Sequence, residues 1–118
     1  MNTKTPECWS SDPNAHGVKI ELSAERSLLL PFDQFAFAEL KTERKQQHLG
    51  LVFATHEVLI RGNALRRIET TMQRMELSFL AALSSSERKL IAEGQPLIVE
   101  IVVTETKDVE KRAQKDQG

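Results

Sequence analysis

His56 and Glu57 open the stretch HEVLIRGNALRRI, residues 56–68, with the pair that begins many zinc-protease helices. That chemistry needs a second histidine one helical turn on, so that two imidazoles grip the metal while the glutamate acts as general base. The position four after His56 is Ile60. Val58 and Ile60 also carry the spacing of a strand just before Gly62, so the geometry and the second ligand both fail. His48 and His56 flank one expected strand, which separates them by roughly 20 to 25 Å at the usual rise and rules out a shared ion. His16 lies beside the N-terminal segment, and the sequence does not tell whether His16, His48, His56 and distant carboxylates converge. No metal site and no cofactor is assigned.

Nucleophilic catalysis finds no better footing. Ser10-Ser11 and Ser84-Ser85-Ser86 lack the glycine-flanked elbow that exposes a hydrolase nucleophile. The five glycines are scattered, with no phosphate-cradling spacing. With no tyrosine and one tryptophan, a stacking platform for single-stranded nucleic acid is poorly supplied. The polar feature that stands out is a cluster of arginines, Arg61, Arg66, Arg67 and Arg74. Arg67 and Arg74 are seven apart, which places them on one face of a helix, and a helix N-terminus at Asn63 would add a partial positive charge. Together they form a candidate anion- or nucleic-acid-binding face. Glu57, Glu69 and Glu76 are interleaved with these arginines and can pair with them at helical spacings, which favours a solvated, self-neutralised face.

The elements that must position these residues follow from hydrophobic period. Residues 1–16 are polar and punctuated by Pro6 and Pro13, and read as a flexible arm in which Trp9 docks loosely and Cys8 is inert. Val18, Ile20 and Leu22 alternate with Lys19 and Glu21, as in a half-buried strand. Leu28 to Leu30 make a short strand ended by Pro31. Phe35 to Leu40, then HLGLVFA from His48, then VLIRG from Val58 continue an antiparallel meander through short polar links. From Asn63 the period changes: Leu65, Ile68, Met72, Met75, Phe79 and Leu83 trace one stripe of a helix of about 20 residues. Asn63 is its expected N-cap and Gly62 the joint before it. Ser84 with Glu87 has the spacing of a capping box for a second, short helix, closed by Gly94 and Pro96. LIVEIVVTET, from Leu97, is a β-branched strand suited to the middle of a sheet.

The predicted fold is therefore α+β: an antiparallel meander of about four strands, one long and one short helix, and a final strand rejoining the sheet. The expected organisation is a flexible arm over 1–16, one domain over 17–106 and a charged flexible tail over 107–118. The chain has 118 residues, enough for one self-sufficient core. Its net charge of -1, with 40% hydrophobic and 28% charged residues, indicates no bulk attraction to nucleic acid or to an anionic membrane. A single cysteine excludes an internal disulfide and a Cys-rich zinc module. The N-terminus lacks the apolar stretch of a secretory signal, and no apolar run approaches the ~20 residues that span a bilayer. A cytoplasmic protein without a membrane partner is the expectation. The leading functional expectation is a small non-catalytic interaction or regulatory module, self-associating or bound to a protein partner. A nucleic-acid- or anion-binding domain using the arginine face is the alternative, and an enzyme with a site assembled from dispersed Glu, His and Arg ranks third.

Overall fold

The alternation Val18, Ile20 against Lys19, Glu21 places every second side chain of one strand out of water, and that strand finds its partner in the next segment. In the computed structural model, which describes residues 6–106, β2 (Gly17–Ser23) and β3 (Arg26–Pro31) form an antiparallel hairpin. Val18 pairs with Leu30 and Ile20 with Leu28, and Val18, Ile20 and Leu30 are fully buried. A 3-10 turn over Phe32–Gln34 follows Pro31 and carries the chain out of this sheet. A second sheet then begins with β4 (Phe35–Glu43), β5 (Gln46–Phe53) and β6 (His56–Asn63), a true antiparallel meander. The β4–β5 hairpin turns at Arg44, whose φ of 57° suits a two-residue hairpin loop. The last strand, β8 (Leu97–Glu105), rejoins this sheet antiparallel to β6.

The mixed α+β class is therefore found, but the meander is divided between two four-stranded sheets. Sheet A has the order β1 (Trp9–Ser11), β7 (Leu77–Ala81), β2, β3, and sheet B the order β4-β5-β6-β8. β8 lies at an edge of sheet B rather than in its middle. Inward side chains of both sheets meet in one core, to which Leu49, Leu51, Phe53, Val58, Ile60 and Ile98 contribute from sheet B.

The expected 20-residue helix is the main correction. Helix α1 spans only Arg66–Gln73, with Ile68 and Met72 buried. Thr70 and Thr71 turn their hydroxyls back to the carbonyls of Arg66 and Arg67, at 3.0 and 2.8 Å, an arrangement that does little to prolong a helix. The end is a Schellman closure: the N–H of Met75 donates to the Met72 carbonyl and that of Glu76 to the Thr71 carbonyl. Met75 sits at the left-handed position with φ 56°, where glycine is usual. Beyond it Leu77–Ala81 form β7, parallel to β2. Leu77 and Leu80 are buried there, whereas Met75, placed on the expected helical stripe, is exposed.

Three smaller readings also change. Asn63 does not cap α1: it ends β6, and with its amide oriented to satisfy its neighbours its nitrogen donates to the carbonyls of Gly62 and Lys45. Leu65 is the residue at the cap, and its N–H donates to Gln47 Oε1 at 2.7 Å. Part of the stretch read as a flexible arm is ordered, since Trp9–Ser11 form β1 against β7 and Cys8 is buried. The short helix α2 (Ser85–Arg88) has the expected capping box at Ser84 and Glu87. The expected tail over 107–118 lies outside the described residues.

Candidate functional site

Sheet B has an inner face that builds the core and an outer face over which no layer lies among the described residues. Alternation fixes which side chains stand outward. On β4 these are Phe37, Glu39 and Lys41; on β5 Val52, Gly50 and His48; on β6 Glu57, Leu59 and Arg61; on β8 Thr104, Val102 and Glu100. The registers assemble them into three rows across the sheet. Phe37 pairs with Val52, Val52 with Glu57 and Glu57 with Thr104. The middle row is Glu39, Gly50, Leu59 and Val102, and the third is Lys41, His48, Arg61 and Glu100. Phe37 is 55% exposed, Leu59 41% and Val102 45%, three of the six large apolar residues most open to water among those described. With half-buried Val52 they form a diagonal stripe, because Val52 and Leu59 are diagonal neighbours within reach of each other. Leaving such a contiguous stripe in water is unfavourable, and such patches on folded domains mark contact surfaces.

Charges frame the stripe. Arg61 Nε donates to Glu100 Oε1 at 3.1 Å and Arg61 Nη1 to Gln46 Oε1 at 3.1 Å. Lys41 Nζ lies 3.1 Å from Glu39 Oε1. His48 Nε2 stands 3.9 Å from Glu43 Oε2 at the β4–β5 end of the sheet.

The four arginines read from the sequence are divided by this layout. Arg61 belongs to the outer face of sheet B, whereas Arg66 and Arg67 start α1, which packs its apolar side into the core, and Arg74 caps its end. Arg67 Nη1 donates to Gln95 Oε1 at 3.0 Å. The interleaved Glu57, Glu69 and Glu76 form no ion pair with these arginines among the described residues, and Glu100 of β8 is the carboxylate that holds Arg61. That pairing joins residues 39 apart and carries no local signal.

The histidines stay apart. His48 stands opposite Arg61 and His56 opposite Glu105, five residues further along the sheet, or roughly 17 Å at the usual rise. His56 Nδ1 is 2.8 Å from the Thr55 hydroxyl. Among the described residues no three His, Cys, Asp or Glu side chains group as metal ligands would.

Two open depressions lie elsewhere. One, of about 790 Å³, has Glu7, Glu21 and Glu87 on its walls. The other, of about 640 Å³, lies between Trp9 of β1 and the segment carrying Leu90, Ile91 and Pro96. No polar or charged residue is buried among the described residues, and the one desolvated titratable group on these walls is the Cys8 thiol in the second depression. Burial pushes the Cys8 thiol up, which disfavours the thiolate, and its S–H donates to the Pro96 carbonyl at 3.4 Å.

The fold defines a small α+β domain of two four-stranded sheets, with an apolar stripe exposed on sheet B among the described residues. Comparison with known protein families, with curated proteins and with solved structures gives no match. Among the described residues no helix is long and apolar enough to cross a membrane.

Proposed function

We propose that this chain is a small, non-catalytic interaction or regulatory module of the cytoplasm that works by self-association. The observation that carries the reading is the apolar stripe Phe37, Val52, Leu59 and Val102 on the outer face of sheet B. A face-to-face contact would remove that stripe from water and give the domain its second layer there. A phosphate-binding reading draws less support, because Arg61 and Arg67 are already engaged by Glu100, Gln46 and Gln95 and stand on different parts of the surface.

Light scattering across a concentration series tests the proposal. The weight-average mass should climb from that of one chain towards that of two as concentration rises. A mass that stays at one chain up to the highest concentration attainable refutes it.

A further inference from the structure

Gly50 is the residue of the outer face that the fold itself does not require. At Gly62 an added Cβ would fall 1.9 Å from the Leu97 carbonyl oxygen, and at Gly17 it would fall 2.6 Å from that of Leu30. Those two glycines let neighbouring backbones pass. At Gly50 the only neighbour within reach of a Cβ is the Glu39 carbonyl oxygen at 3.9 Å, an ordinary contact. Its backbone is not in the left-handed region either. Glycine in the middle of a strand costs about 0.5–1 kcal/mol relative to alanine, and its usual justification is the close approach of something else. Among the described residues nothing of this chain makes such an approach to Gly50, at the centre of the exposed face.

We infer that the outer face of sheet B is the contact between two copies of this chain, packed face to face about a two-fold axis that crosses the apolar stripe between Val52 and Leu59, with Gly50 beside the axis. This rests on the self-association proposed above and adds its geometry. An axis lying in the plane of the contact, perpendicular to the stripe, carries the stripe onto itself. Phe37 then meets the partner's Val102, and Val52 meets the partner's Leu59. With ~4.8 Å between strands and ~3.4 Å per residue, the two sets of strands cross at roughly 50°, not far from the aligned class of sheet packing. The missing side chain of Gly50 lets the two sheets close at the axis.

The same operation brings Arg61 over the partner's Glu39, twice by symmetry. It also brings Glu57 beside the partner's Glu57, a like-charge contact that opposes the dimer. The face carries Lys41 and Arg61 against Glu39, Glu57 and Glu100, a near balance that selects neither a strongly acidic nor a strongly basic partner. Four strands by three rows make a patch about 20 Å on each side. Two such patches bury on the order of 1,000 Å² together, the lower bound for a specific contact and the range of reversible association.

Sedimentation equilibrium of the full chain and four variants tests this, with circular dichroism to confirm that each is folded. Gly50→Val and Leu59→Glu should each raise the dimer dissociation constant at least tenfold. Glu39→Gln and Glu57→Gln remove the same charge from neighbouring rows of one face, yet they should act in opposite directions. Glu39→Gln should weaken the dimer roughly 25-fold, because two such contacts are lost per dimer, and Glu57→Gln should tighten it roughly fivefold, the effect of one unit-charge contact in a watery setting. If Gly50→Val perturbs the fold, this opposed pair of exposed-face changes still decides the matter. A wild-type chain that associates while all four variants associate equally well overturns the geometry and leaves self-association standing. A chain that does not associate overturns both.

Discussion

Replacing Gly62 with alanine tests the β6–β8 pairing that creates the outer face. The new Cβ would lie 1.9 Å from the Leu97 carbonyl oxygen and 3.0 Å from its carbon, against backbone on the next strand. Relief requires β6 and β8 to part by about 1.5 Å, to reach an ordinary contact of ~3.5 Å. The register there runs Gly62 to Ile98 and Asn63 to Leu97, just after an irregularity between Arg61 and Gly62. The Ile98 carbonyl also accepts from the Leu83 N–H at 2.9 Å, so the strain spreads to the segment before α2. Losing two backbone hydrogen bonds beside a buried Ile98 costs about 2–4 kcal/mol. The lower chain entropy of alanine returns about 0.5–1 kcal/mol, leaving a net loss of roughly 1–3 kcal/mol. Urea unfolding followed by the fluorescence of Trp9 reads this directly. With a slope of ~1.5 kcal/mol/M, the midpoint should fall by roughly 0.7–2 M. Gly50→Ala is the matched control, since its Cβ meets nothing closer than 3.9 Å. It should be neutral or slightly stabilising, by up to ~1 kcal/mol. A Gly62→Ala midpoint within experimental error of wild type, or equal losses at the two glycines, would refute the pairing as described.

Two further substitutions probe the ends of the helices. Met75→Gly should raise the urea midpoint, because removing a left-handed non-glycine residue relieves about 1–2 kcal/mol and the added chain entropy takes back about 0.5–1 kcal/mol; a drop in stability would argue against the Schellman closure. The Glu87 carboxyl is held below its usual range by the backbone N–H and hydroxyl of Ser84. A lowered folded pKa gives stability that is complete above the unfolded value of ~4.3 and is lost as pH falls through the folded one. The midpoint gap between wild type and Glu87→Gln should therefore narrow from about pH 6 to about pH 3, and a gap that widens on acidification contradicts the capping box.

Where the sequence misled, one residue was responsible for most of it. Alternation marked β2, β5 and β6 correctly, because each buries one face and wets the other. The three- and four-residue steps from Leu65 to Leu83 fit one helix equally well on paper. What breaks them is the backbone of Met75, a residue type that gives no warning of a positive φ. After it, Leu77 and Leu80 take the buried positions that a helical stripe would have assigned to Phe79 and Leu83, although Leu83 is buried too. The arginine cluster inherited the same error. Seven-residue spacing sets Arg67 and Arg74 on one face only while the helix continues past Gln73, and Arg61 is near them in sequence but not in the fold. Its partner Glu100 could not be found without the β6–β8 register. Capping at Ser84 and Glu87 was legible because both halves of the motif lie within four residues.

The two open sheet faces differ in a way that bears on what the domain is for. Sheet A also exposes apolar residues outward: Leu29 is 68% exposed, and Phe79 lies in the same row two strands away. Between them stands Lys19, paired with Leu29 on one side and with Phe79 on the other. A lysine set between apolar neighbours keeps them from presenting one continuous patch and holds water over the sheet. Sheet B has no such interruption between Phe37 and Val52, nor between Leu59 and Val102. At its centre stands a glycine where any β-former would add stability. A chain that merely tolerated exposed apolar groups would be expected to treat both faces alike. The contrast between guarded Leu29 and unguarded Leu59 therefore supports the proposal that sheet B, rather than sheet A, is the contact face.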